Sequence, residues 1–141
     1  MVRARAAAVV TWIYVACFGV PSVPIAVFIS RNGRLPSFFG LFDMYGGPWS
    51  STMIGSDNSR FVVRLLMFLA LHLVVAGAAW LLWRGSRIGA SLSLITIPAE
   101  AVFWIGFALP FPWLIAAIRV ALIATAWRSL SRQVPGRTPT S

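Results

Sequence analysis

Residues 88–127 form about forty nearly uninterrupted apolar residues. One helix of that length would run about 60 Å, twice the hydrocarbon thickness of a bilayer. The run must therefore fold back on itself. Pro110-Phe111-Pro112 marks where: proline disfavours helical geometry in the residue before it. Leu109 and Phe111 should leave the helix there and close a tight hairpin of two spans.

Two more apolar runs complete the pattern, giving spans at about 7–29, 61–83, 88–109 and 113–130. Only 11% of the 141 residues are charged, against about 25% in soluble domains. So few charges cannot clothe a water-facing surface, and the main solvent must be lipid. The reading is all-α: a single four-span membrane domain over 1–133, with an outer loop at 30–60. Residues 134–141 (Val-Pro-Gly-Arg-Thr-Pro-Thr-Ser) have the composition of a disordered tail. Arg3 and Arg5 before an apolar run look like a signal peptide, but the run continues to Ile29, too long for one. The segment reads as an uncleaved first span.

Orientation follows from arginine placement, because cytoplasmic flanks accumulate positive charge. With the N-terminus inside, the inner segments hold seven arginines and the outer ones three, accompanied by Asp43 and Asp57. Both termini are then cytoplasmic, in a cell inner (cytoplasmic) membrane. Trp12, Trp80, Trp83 and Trp127 fall at the inner interface, and Trp49 and Trp113 near the outer one. All twelve basic residues are arginine, a codon-level sign of a high-G+C bacterial genome.

The net charge of +9 is spread over span ends, not gathered on one accessible face. This argues against nucleic acid and for anionic lipid headgroups as the partner of the basic residues. Arg60 and Arg64 lie one turn apart at the outer end of span two, so an anion should sit between them: a lipid phosphate, or Asp57. In the outer loop, Pro36 suits a first helical turn. A short interfacial helix is expected through Tyr45, ended by Gly46-Gly47-Pro48 and acting as an apolar lid.

Glu100, Arg119 and His72 are ionisable groups at similar depth on successive spans. Glu100 lies about 13 Å from the outer end of its span and Arg119 about 9 Å from the same surface. His72 falls at the midplane. A charge at this depth costs at least about 2.5–3.5 kcal/mol on insertion scales, so a partner is expected. Gly89, Ser93, Thr96 and Glu100 recur at helical spacing as one small, polar stripe, and Ala116, Arg119 and Ala126 as another. His72 shares a face with Ala76 and Ala79. Facing stripes would enclose a polar site of Glu100, Arg119, His72, Thr96 and Ser93. Pro98, Pro21 and Pro24 interrupt backbone hydrogen bonding in the spans. Ala117, Ala121 and Ala124 make a candidate helix-contact stripe, whereas the GxxxG match Gly85–Gly89 sits at a turn.

Cys17 is the only cysteine and His72 the only histidine. Intramolecular disulfide chemistry and haem ligation by two histidines are thereby excluded, and no cluster has metal-ligand spacing. No cofactor is expected. Cys17 reads as a small buried hydrophobe. No phosphate loop, GxSxG, HExxH or paired-carboxylate pattern occurs. Small four-span exporters carry their membrane glutamate in the first span, and this first span has none, so the likeness stops at size. The leading expectation is a non-enzymatic accessory or assembly component of a membrane complex or envelope process. Its alternative is a small oligomeric transporter or channel module using the Glu/His/Arg site. A protein partner or a second copy of the chain follows from either. An enzyme acting on lipid ranks third, because His72 and Glu100 lie too deep for headgroup chemistry.

Overall fold

The computed structural model describes residues 2–130, apart from Phe39 and Leu41. The tail at 134–141 lies outside the described residues. The element order is α1 (Val2–Tyr14), a π-helical segment (Val15–Gly19), α2 (Ser22–Asn32), β1 (Ser37–Phe38), β2 (Phe42–Asp43), α3 (Pro48–Met53), α4 (Asn58–Trp83), α5 (Arg87–Gly106), α6 (Phe111–Ala126) and a final 3₁₀ turn (Trp127–Ser129). Among the described residues, four helical stretches are long and apolar enough to cross a membrane: Val2–Asn32, Asn58–Trp83, Arg87–Gly106 and Phe111–Ser129. The fold is an all-α, multi-pass membrane bundle. Its outward faces are apolar, with Met67, Leu73, Ile95, Ile105 and Leu114 all exposed, which suits lipid and not water.

α4 is central, packing on α5, α1 and α2, while α1 also packs along α6. Small residues make this close approach feasible. Ala4, Ala7, Ala8 and Thr11 are buried along one face of α1. At the α4–α5 crossing a Cβ built on Gly89 would lie 2.4 Å from the Leu82 backbone nitrogen. The turn between these helices needs only the three residues Arg84 to Ser86. Gly85 takes a left-handed φ of +79°. Its N–H reaches the Leu82 carbonyl while that of Ser86 reaches Leu81, the paired bonds of a Schellman motif. Ser86 then caps α5 by accepting from the Ile88 N–H.

The α5–α6 hairpin closes slightly differently from the expectation. α5 ends at Gly106, three residues before Leu109, and α6 begins at Phe111 itself, with Pro112 in its first turn. Leu109 N–H bonds back to the Trp104 carbonyl and Ala108 N–H to Ile105, a second Schellman closure. The left-handed position is filled by Ala108, at φ +51°, where glycine is usual.

The first span is broken midway. Pro21 has no N–H to donate, and the chain answers with a π-helical turn in which Val20 N–H reaches the Val15 carbonyl, five residues back, at 3.1 Å. The Phe18 carbonyl on this turn accepts the Ser22 hydroxyl at 3.2 Å and the Tyr45 hydroxyl from the loop. Cys17, expected to be buried, is instead exposed on this turn, because the extra residue of the π-segment rotates it outward.

The short loop helix exists, but not over Pro36–Tyr45. That stretch carries the antiparallel β1–β2 pairing, Ser37 with Asp43 and Phe38 with Phe42. The helix is α3, after the two glycines. Pro48 takes its first position. Gly47, at φ +142°, exchanges hydrogen bonds of 2.9 Å with the Ser50 hydroxyl at both its N–H and its carbonyl. A Cβ on Gly47 would meet the backbone of Gly106, Phe107 and Ala108 at 2.9 Å, so the glycine lets α3 seat directly on the end of α5. Trp49 stacks over Gly106 and packs edge-on to Phe103 and Phe107. Tyr45 is buried against Phe68 and Phe107. The loop thereby covers one end of the bundle.

Candidate functional site

Two apolar clusters occupy the ends of the bundle, one around Phe61, Phe68, Trp104 and Phe107, the other around Leu82, Ala90, Ile123 and Ala126. Polar side chains lie between. Ser93, Thr96, Glu100, Arg119 and His72 are all buried, with Glu100, Arg119 and His72 at 0% exposure. The small, polar stripe of α5 and the Ala116–Arg119–Ala126 stripe of α6 both face inward.

Glu100 and Arg119 pair directly. Arg119 Nη1 donates to Glu100 Oε2 at 2.9 Å and Nη2 to Oε1 at 3.3 Å. The fork-to-fork geometry is the strong form of an arginine–carboxylate contact. Nη2 also donates to the Ser93 carbonyl at 2.6 Å and hydroxyl at 3.0 Å. The guanidinium thus reaches down its own stem and bridges the depth difference counted along the helices. Thr96 is buried beside the pair but spends its hydroxyl on the Ser93 carbonyl at 3.3 Å.

Two aromatic residues, not singled out by the sequence reading, close the cluster. Trp104 Nε1 donates to the Tyr14 hydroxyl at 2.8 Å, and the Arg119 guanidinium carbon lies 5.9 Å from the Tyr14 ring centre. Tyr14 comes from the first span, so all four spans contribute. A tyrosine deep in an apolar run was the available signal, since a buried phenol needs a hydrogen-bond partner.

His72 joins through the Tyr14 ring, 4.7 Å between ring centres, and has no hydrogen bond to the ion pair. Its Nδ1 contacts the Phe68 carbonyl at 2.9 Å. With the proton there, the neutral ring presents Nε2 as an acceptor, and that atom is buried without a partner among the described residues. Arg119 Nε is the other such atom.

Arg60 and Arg64 take different partners within the protein. Arg60 Nε pairs with Asp57 Oδ2 at 2.9 Å, the partner foreseen as the alternative to a lipid phosphate. Arg64 instead lies over the Trp49 ring at 4.4 Å, a cation–π contact that ties α4 to α3. Asp57 caps α4, accepting from the Ser59 hydroxyl and the Arg60 N–H. These bonds, with Arg60 adding a smaller part, hold its carboxyl below the usual range. Ala117, Ala121 and Ala124 are exposed on the outward face of α6. At the turn end Trp12 meets Trp83 at 5.5 Å and Trp80 at 6.3 Å, and Arg5 lies over Trp83.

Compared with protein-family models, curated proteins and solved structures, the chain matches none.

Proposed function

We propose that this protein is a non-enzymatic membrane component, a fixed four-span body around which a membrane complex or envelope process is assembled. The observation that carries the reading is the closed Glu100–Arg119 fork at 0% exposure, with Ser93 taking the rest of Nη2. Both carboxylate oxygens are taken up by the guanidinium, so the pair is a closed contact with no oxygen left over for a passing ligand. The pair therefore acts as a lock between α5 and α6. The arginines gathered at the α4–α5 turn end, Arg3, Arg5, Arg84, Arg87 and Arg128, support an orientation with that end in the cytoplasm.

The test is reconstitution in vesicles with a pH-sensitive dye inside, alongside purification in a mild detergent. Proton flux equal to that of empty vesicles, with a protein partner retained in fixed ratio, is the expected result. Flux above background that disappears in Glu100→Gln, with the variant still folded, would sink the reading.

One observation favours a second reading, a small oligomeric transporter or channel module. The His72 Nε2 is buried without a partner among the described residues, and the Cγ–Cδ2 edge of the His72 ring packs on Gly19 in the π-helical turn of a proline-broken span. Such turns recur at functional sites. His72→Gln would then abolish flux.

A further inference from the structure

α5 and α6 are joined by a hairpin and by the Glu100–Arg119 fork, yet they do not stay in close contact. Toward the end bearing the α4–α5 turn they part, and a groove of about 480 Å³ opens between them. Leu94 contributes from α5, and Val120, Ile123 and Ala124 from α6. Trp127 and Arg128 stand at its mouth. The walls are hydrocarbon, the volume is that of a small-molecule site, and the groove lies on the lipid-facing side of a membrane helix pair.

The mouth is cationic without a counter-charge. Arg128 is exposed. Arg87 binds the Leu130 carbonyl through Nε at 2.9 Å, which holds its guanidinium two residues from Arg128 along the chain. Among the described residues neither arginine has a carboxylate partner, since the ion pairs are Arg60–Asp57 and Arg119–Glu100. The remaining acid, Asp43, lies in the loop at the other end.

We propose that this groove binds one anionic phospholipid, an acyl chain lying along Leu94, Val120 and Ala124 and the phosphate held by Arg128 and Arg87. Trp127 sits at the glycerol level, where an amphipathic ring is favoured. The outward placement of Ala124 gains a purpose: a small side chain keeps the groove open. The site is separate from the Glu100–Arg119 cluster and does not depend on its function.

The experiment is native mass spectrometry of the purified chain, titrated with phosphatidylglycerol or with phosphatidylcholine of the same acyl chains. One phosphatidylglycerol should be retained per chain, with phosphatidylcholine clearly weaker. Arg128→Gln should weaken phosphatidylglycerol about fivefold, as one arginine near a membrane surface contributes. Ala124→Trp should abolish the retained lipid while the chain stays helical by circular dichroism. Arg60→Gln, at the far end, should change nothing. Equal retention of the two lipids, or unchanged phosphatidylglycerol binding in Arg128→Gln, would overturn the site. Should Ala124→Trp not fold, the Arg128→Gln titration decides alone.

Discussion

Gly19 lies flat against the His72 ring: a Cβ built on the glycine would stand 2.8 Å from Cβ, Cγ and Cδ2 of the histidine. The π-helical turn and the midplane of α4 therefore meet through a residue with no side chain. Gly19→Ala should overpack this contact and cost about 1–3 kcal/mol, read as a lower midpoint of thermal unfolding in detergent. Gly77→Ala is the control. Nothing lies within 4 Å of a Cβ there, so the better helix former should raise the midpoint slightly.

The Glu100–Arg119 fork should behave as one unit. Breaking a buried pair from one side strands a charge and costs about 3–5 kcal/mol. Glu100→Gln and Arg119→Gln should each lower stability strongly, Arg119→Gln more, because glutamine at 100 still accepts from the guanidinium. The double variant should recover most of the loss. Additive losses across the cycle would mean that the two side chains act separately.

Tyr45 links pH to the loop. Burial pushes its phenol up to about 12, offset slightly by Ser22. The folded state then holds this proton more tightly than the unfolded state, whose tyrosine titrates near 10. Stability from this group is complete below pH 10 and falls as pH rises toward 12. Tyr45→Phe should flatten that alkaline limb in a series of unfolding curves. At neutral pH it should cost about 1 kcal/mol for the lost bond to Phe18, a modest loss because Ser22 still reaches the same carbonyl.

Ala108 holds a left-handed conformation at φ +51° and is exposed. Ala108→Gly should relieve about 1–2 kcal/mol of strain, reduced by the extra freedom glycine gains when unfolded. A net rise of roughly 0.5–1 kcal/mol is expected in denaturant unfolding. A fall would mean that the Ala108 methyl packs in solution.

The parts legible beforehand were those governed by helical periodicity. Gly89, Ser93, Thr96 and Glu100 share a face because of spacing alone, and burial of two opposite charges at one depth forces them together. The loop was harder. Pro36 and Pro48 both suit a helix start, and what separates them is Gly47 with Ser50 three residues on, a capping arrangement next to a proline. Tyr14 and Trp104 are 90 residues apart, so no local pattern ties them. The outward turn of Cys17 depends on a π-segment, which shifts the helical phase after Val15 and defeats face counting from either side.

Glu100 and Arg119 stand only 19 residues apart, on the two arms of one hairpin. Their charges cancel without help from any other part of the chain. The buried middle of the last two spans can thus enter a bilayer with its charges cancelled, whereas either arm alone would drag a bare ion into hydrocarbon. The bond from Trp104 to Tyr14, by contrast, joins the third span to the first. In a growing chain, neutralisation is a local event of the hairpin, and the Val2–Asn32 span, made before it, supplies the wall against which the hairpin closes.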